Sequence, residues 1–457
     1  MDQLHRLSCP FTWEMKNVVS TPESLLLDYS QSESNWNIET DKELGSFTLM
    51  KLMYSVMVAF ENAEKGGLKE AMQKIKESEE IFIKLQSMPN GISIKAVDHI
   101  IKSTKCFILK EMKRFSDVTN ILKSIDSCDK EKLEIGTLYG CQSIAWSFYF
   151  AAECDKAIQN ASRAIDLNSD NGLWHFILGK SLRRQRKFFN FGTKLTLREQ
   201  TSFKNAFDLL PTNPYVGIYC AQMYRESYDL KNAKRAYTKV LAMKPDSCDI
   251  YLKLALGFIR TKSCEKASEC LKYVASRTPK DKTYLHYIGI YLEKCEKDYK
   301  GALKYFKEAG ALYNYAADMN YVALKISQNC NKNDTLEYLF EMLDRYKSIA
   351  YKTQAIHLNI GSVYYTQKNL NDAGEHYLKA IKIDPQNTIL EKFHNVPLTR
   401  FKINIFDVLK REVIPLWKKQ AVDQSTREML REAEEACNEY NARFSKTTAQ
   451  KMTKDSL

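Results

Sequence analysis

The sequence predicts an all-α protein of stacked helical hairpins, and three observations predict it. Pro211, Pro245 and Pro279 stand 34 residues apart, twice over. Between them run two copies of one pattern, Ala221, Ala233, Tyr237 and Pro245, then Ala255, Ala267, Leu271 and Pro279. The 457 residues contain only 16 Gly and 10 Pro and are rich in Lys, Glu, Leu and Ala, a helical rather than a β composition. A fixed self-similarity of this length is the signature of the tetratricopeptide-repeat superhelical solenoid. Each hairpin in it buries its apolar face only against its neighbours. Small residues at repeat positions 8 and 20 let paired helices touch, a large apolar residue at 24 plugs the remaining gap, and proline at 32 ends the second helix.

That register organises the chain into about nine hairpins. Residues 1–45 form a non-repeat segment in which Thr21-Pro22-Glu23 reads as a helix start and Gln31–Asp41 as a loop. Residues 46–137 hold repeats one and two, the first at Leu52–Leu85 with Ala59, Ala71 and Ile75, the second degenerate at His99–Ser127. Residues 138–316 hold repeats three to seven and the central groove. The fourth repeat needs about eight extra residues around Phe189–Thr196, which enlarge its turn or extend a helix, and the seventh has one inserted residue near Lys297. Residues 317–387 hold a weak eighth repeat and a clear ninth with Gly361, Ala373, Tyr377, Ala380 and Pro385. Residues 388–457 lose the period; Phe401–Lys419 and Glu428–Phe444 read as C-terminal capping helices for the last repeat, and Lys446–Leu457 as a frayed tail.

Composition limits the function. The formal charge of +12 suits an anionic partner, although acidic residues are interspersed. Twelve cysteines are scattered without a C-x-x-C pair, and Cys264 and Cys270 lack a matched second pair, so neither a zinc site nor a disulfide framework is indicated. Asp2, His5 and Arg6 interrupt the N-terminus, and no apolar run approaches the roughly 18 residues of a membrane span. The cytoplasm is the expected compartment, without a membrane partner. No catalytic, metal or cofactor signature is present, and the expectation is a protein that is not an enzyme.

In such a solenoid the first helix of each hairpin lines a concave groove, with positions 2, 5, 6, 9, 12 and 13 facing in. Those positions carry Trp146, Tyr149 and Phe150 in the third repeat and Lys180, Arg183 and Arg184 in the fourth, followed by Arg186 and Lys187. The fifth carries Tyr215, Tyr219, Gln222 and Arg225, the sixth Lys253 and Arg260, and the seventh Tyr284, His286, Tyr287 and Lys294. Cations interleaved with aromatic rings suit single-stranded RNA, since the cations neutralise phosphates and the rings stack unpaired bases. The candidate RNA-binding residues are Arg183, Arg184, Tyr219, Gln222, Arg225, Arg260, His286 and Tyr287. Against this stands packing: tyrosines in such repeats commonly fill the core, cations near a helix end complement its dipole, and His175 and His357 at position 4 read as core residues. A clamp for a peptide carboxylate needs Asn at position 9, and no repeat has it there.

Three motifs resemble one family. Leu7-Ser8-Cys9-Pro10-Phe11-Thr12-Trp13-Glu14 is similar to the Cys-His-Phe-Thr-Trp start of the interferon-induced proteins with tetratricopeptide repeats, with Pro10 in place of the family His. Pro214-Tyr215-Val216, Tyr219-Cys220-Ala221 and Met223-Tyr224-Arg225 resemble its mid-chain repeat, and Leu285-His286 before Gly289 its Leu-His-His-Gln-x-Gly. The resemblance implies an infection-responsive cytosolic protein of antiviral innate defence that holds the 5′ end of single-stranded RNA in a basic groove. Arg184, Tyr219, Arg225 and His286 match family pocket positions, whereas Phe148 stands where the family carries a phosphate-binding Lys and Tyr287 replaces Gln. Those departures keep open a protein-interaction scaffold that uses the same groove for a protein partner or a second copy of the chain.

Overall fold

Close approach of paired helices at small residues sets the architecture. In the computed structural model, a Cβ on Gly179 would lie 2.9 Å from Phe203, on Gly289 2.6 Å from Phe306, and on Gly361 2.6 Å from Tyr377. Each glycine sits at position 8 of a first helix, and each ring comes from the second helix of the same hairpin. The rings are fully buried. Tyr237 does the same between hairpins, against Gly257 of the next first helix.

The structure describes residues 4–16, 47–87, 91–128, 130–149, 154–189, 193–328, 332–394, 402–420 and 424–454, the last segment with side chains through Arg443. The sequence readings at Thr21–Glu23, Gln31–Asp41 and Phe150 lie outside them. The chain divides into two compact units, Met1–Val274 and Ala275–Leu457.

The first unit pairs α1 (Thr48–Glu64) with α2 (Leu68–Gln86), α3 (Ile94–Glu111) with α4 (Phe115–Leu122), and α5 (Lys132–Ser147) with α6 (Cys154–Leu167). It continues with α7 (Gly172–Phe189) and α8 (Leu197–Leu209), α9 (Pro214–Glu226) and α10 (Leu230–Ala242), and α11 (Cys248–Arg260) and α12 (Cys264–Ala275). The second repeat starts five residues before the sequence boundary at His99, because Ser93 caps α3 by accepting a hydrogen bond from the Ala96 amide. Asn213 caps α9 through the Tyr215 and Val216 amides, with Pro214 in the first turn. The first helix of the fourth repeat ends at Phe189 and the second begins at Leu197, and the described part of the connection, residues 193–196, is non-helical.

The N-terminal motif is a docked plug. The Thr12 hydroxyl donates to the Leu7 carbonyl (2.7 Å) and accepts from the Cys9 amide (3.1 Å), while the Trp13 indole donates to Ser8 Oγ (2.9 Å). This knot presents Phe11 to Phe60 and Phe107, each 4.9 Å away centroid to centroid. Ser8 donates its amide to His99 Nε2 (3.1 Å). Cys9 is wholly buried, and burial pushes its thiol up to about 12. Cys-x-Phe-Thr-Trp is therefore a packing motif that ties the segment to the first two hairpins.

The second unit pairs α13 (Lys282–Tyr291) with α14 (Tyr299–Ala311), α15 (Tyr315–Ser327) with α16 (Lys332–Tyr346), and α17 (Ala350–Thr366) with α18 (Leu370–Ile383). The inserted residue of the seventh repeat is absorbed as a π-turn at Leu292–Glu296, closed by left-handed Lys297 (φ 61°). Beyond α18, α19 (Ile405–Val408) runs through a second π-turn, Leu409–Val413, into α20 (Ile414–Gln420). The wide turn lies beneath Pro415, which has no N–H to give the ladder. Trp417 from this segment seats on Gly374 and donates its indole N–H to Asn371 (3.0 Å), covering the last hairpin. The final helix, α21 (Gln424–Lys454), continues past Phe444, so Lys446–Lys454 is helical where the sequence suggested fraying.

Between α17 and α18, His357 Nδ1 and His376 Nδ1 lie 3.0 Å apart. Burial, and for His357 the neighbouring His376, lowers both imidazoles to about 4. The core reading of His357 is thus joined by a partner that the sequence did not suggest. No described helix is long and apolar enough to cross a membrane, and no group of three or more potential metal ligands occurs among the described residues.

Two stability predictions follow from these contacts. Gly→Ala in a helix ordinarily stabilises, but at Gly361 the new methyl meets the buried Tyr377 ring. Gly361→Ala should therefore lower stability by about 1–3 kcal/mol, read by thermal or denaturant unfolding followed by circular dichroism; a gain would contradict the packing. The histidines are neutral when folded and protonate on unfolding below their ordinary value, so their stability contribution is complete above about 6.5 and declines as pH falls toward 4. The melting temperature should fall between pH 6.5 and 5, with a flatter profile in a His357→Asn/His376→Asn variant. An equal slope in both would remove the pair as the cause.

Candidate nucleic-acid interface

The site lies on the facing first helices of two successive hairpins in the first unit. On α7, Arg183, Arg186 and Lys187 are spaced i, i+3, i+4 and share one face. On α9, Gln222, Arg225 and Glu226 repeat the same spacing. Stacking the hairpins brings the two faces together. Arg183 donates from Nη1 to Gln222 Oε1 (2.6 Å) and from Nη2 to Glu226 Oε1 (2.5 Å). Arg186 donates from Nη2 to Glu226 Oε2 (2.7 Å), and forks onto both oxygens of Glu199 at 2.8 and 2.9 Å. Lys187 Nζ lies 3.2 Å and Arg225 Nη2 3.9 Å from Glu226 Oε1. Four cations thus surround one carboxylate.

The charge balance is reflected in the titrating groups. Burial alone would raise Glu226, but Arg183 and Lys187 overcome it and hold the carboxyl down at about 2. Lys187 is lowered by burial and by the Arg183 charge beside it. Arg186 is raised by its hydrogen bonds to Glu199 and then Glu226, against its burial. Two donors remain unsatisfied: the Nε–H groups of Arg183 and Arg225 are buried and have no acceptor among the described residues. Each such donor costs free energy until an acceptor arrives.

The other candidate residues have distinct surroundings. Arg184 donates from Nη1 to the carbonyls of Ser147 (2.7 Å) and Tyr149 (3.1 Å), satisfying acceptors that α5 leaves open at its C-terminal end. Tyr219 is 9% exposed, its ring set against Phe176 and Phe203 at 5.2 and 5.8 Å, with Arg183 5.4 Å and Lys180 5.8 Å from its centroid. It supports the cations rather than presenting an open face. Arg260 is exposed at the end of α11. His286 and Tyr287 lie on α13 in the second unit, where His286 Nε2 contacts Asn320 Nδ2 (2.8 Å) and its ring meets Phe306. Within the first unit, therefore, Arg183, Gln222 and Arg225 converge, Arg184 turns to a neighbouring helix end, and Tyr219 lies beneath the cluster.

In the third hairpin, Trp146, Phe148 and Tyr149 are buried. Phe148 packs edge-on to Tyr54 (5.6 Å), and the Tyr149 hydroxyl donates to the fully buried Glu61 (2.7 Å). Glu226 and Glu199 were not singled out from the sequence. Glu226 occupies position 13 of the fifth repeat, an inward-facing position at which an anion departs from the pattern of cations and rings.

A model of the tetratricopeptide repeat matches residues 355–387. The chain is 22% identical over 433 residues to the antiviral innate immune response effector IFIT1 of Macaca fascicularis, with 86% of each chain covered. Its fold resembles the human IFIT1 dimer with PPP-AAAA (TM-score 0.56, 19% identity, 98% of this chain and 99% of that one). It also resembles the human IFIT1 dimer with m7Gppp-AAAA (TM-score 0.57, 18% identity, with the same shares covered). The chain is thus similar over most of its length to interferon-induced proteins with tetratricopeptide repeats and shares their helical-repeat fold.

Proposed function

We propose that the protein is a non-catalytic single-stranded RNA-binding protein of the antiviral innate response, capturing RNA 5′ ends with the cation cluster of α7 and α9. The observation that carries this reading is the convergence of Arg183, Arg186, Lys187 and Arg225 on one small volume, with two buried guanidinium N–H groups lacking acceptors. Like charges so placed repel, and only anions make the arrangement favourable. Guanidinium groups bind phosphate through paired N–H donors, so a 5′ phosphate chain supplies the acceptors that a single carboxylate cannot. The likeness supports the same ligand class, since the similar IFIT1 structures hold PPP-AAAA and m7Gppp-AAAA. The cytoplasm, where foreign transcripts appear, is the compartment this function requires. Self-association is part of the proposal, because those relatives are dimers.

A second reading, a protein-interaction scaffold, is favoured by the third hairpin. Phe148 and its aromatic neighbours are buried there and add no cation, which leaves the phosphate-binding positions to α7 and α9.

Lys187 and Arg225 have the more exposed side chains of the four cations, at 50% and 27%, so their replacement spares the packed core. Lys187→Glu and Arg225→Glu should each weaken binding of a 5′-triphosphate RNA oligomer by about tenfold or more in filter binding, and should reduce the salt slope by about one. Wild-type protein without salt-sensitive affinity for any single-stranded RNA would end this reading. Capture of partners from infected-cell extract discriminates the alternative: RNA-bridged partners should be lost on nuclease treatment, whereas a scaffold would retain them.

A further inference from the structure

We propose that Glu226 is a built-in competitor of the ligand phosphate, occupying the cation cluster in the free protein and swinging out when an RNA 5′ phosphate enters. The inference rests on the RNA-binding reading and adds the regulation of that same site.

The two carboxylates of the cluster are held differently. Glu199 is 1% exposed, forked by Arg186, and fixed in the first turn of α8, where its amide bonds the Thr196 cap. A carboxylate in a first turn also complements the helix dipole. Glu226 is the last residue of α9, and its side chain is 17% exposed. There the dipole opposes negative charge, and no backbone donor holds the carboxylate among its described contacts. It stays because Arg183 and Lys187 meet Oε1 and Arg186 meets Oε2. This is how the cations would meet a phosphate, with each anionic oxygen shared between donors.

A phosphate offers more anionic oxygens and more charge than a carboxylate. It can therefore take over the Glu226 contacts and also reach the unsatisfied Nε–H groups of Arg183 and Arg225. Glu226 keeps the like-charged side chains aligned while the site is empty and makes weak anions poor ligands. Only a multiply charged 5′ end repays its displacement, so the residue sets a threshold of selectivity as well as lowering affinity. The alternative role is pure positioning, in which Glu226 remains between the cations when RNA binds. The two roles predict opposite signs.

The test compares wild type with Glu226→Gln and Glu226→Ala, binding 5′-triphosphate, 5′-monophosphate and 5′-hydroxyl forms of one RNA oligomer over a range of salt, with melting curves to verify folding. Removing the competing charge should tighten triphosphate binding by on the order of tenfold and steepen the salt slope. The monophosphate should gain at least as large a factor, so the preference for triphosphate narrows. Either folded variant suffices. If wild type binds RNA and the folded variants bind equally or more weakly, Glu226 positions the arginines and the competitor proposal is overturned while the RNA-binding reading stands. If neither wild type nor variant binds any of the oligomers, the RNA-binding reading itself fails and takes the proposal with it.

Discussion

Everything else in the structure depends on two helices approaching closely enough for a ring to seat on a missing side chain. Phe203 over Gly179, Phe306 over Gly289 and Tyr377 over Gly361 repeat one contact in hairpins of differing sequence. The contact sets the spacing inside a hairpin, and Tyr237 on Gly257 extends it to the next. Once the spacing is set, groove positions of successive first helices must face each other. The meeting of Arg183 with Gln222 and Glu226, residues about forty apart in sequence, is a consequence of that stacking.

Electrostatics then decides what the facing surfaces of α7 and α9 can do. A chain with a formal charge of +12 has cations to spare, but some of those at the inward-facing positions are used locally. Lys253 pairs with Asp249 at 3.2 Å, and Arg184 closes the end of α5. The cluster around Glu226 differs because its positive groups outnumber the carboxylates they share. It concentrates charge in a partly buried place, where screening by salt is weaker than on the open surface.

The hairpins were legible in the sequence because their determinants are local and periodic: small residues, a large residue and a proline at fixed offsets. Insertions were legible as changes of register but not as geometry. One extra residue near Lys297 became a π-turn, whereas the described part of the fourth-repeat insertion, residues 193–196, is a non-helical connection. The candidate site was legible in part. Repeat position identified Arg183, Gln222 and Arg225 as facing inward, but long side chains choose partners by reach and desolvation, which position does not encode. Arg184, adjacent to Arg183, rotates onto the carbonyls of Ser147 and Tyr149 instead. Tyr219 has the right position yet is enclosed by Phe176 and Phe203. The acidic residues were not legible, because an anion among cations carries no periodic pattern of its own.

The central claim is that the α7–α9 cluster holds a 5′ phosphate by replacing an internal carboxylate. A structure of the wild-type protein bound to a short 5′-triphosphate RNA tests it most directly. The account predicts phosphate oxygens within hydrogen-bonding distance of Arg183, Arg186 and Arg225, with the Glu226 side chain turned away from them. RNA bound elsewhere on the protein, or phosphates at the cluster with Glu226 still between the arginines, would contradict it.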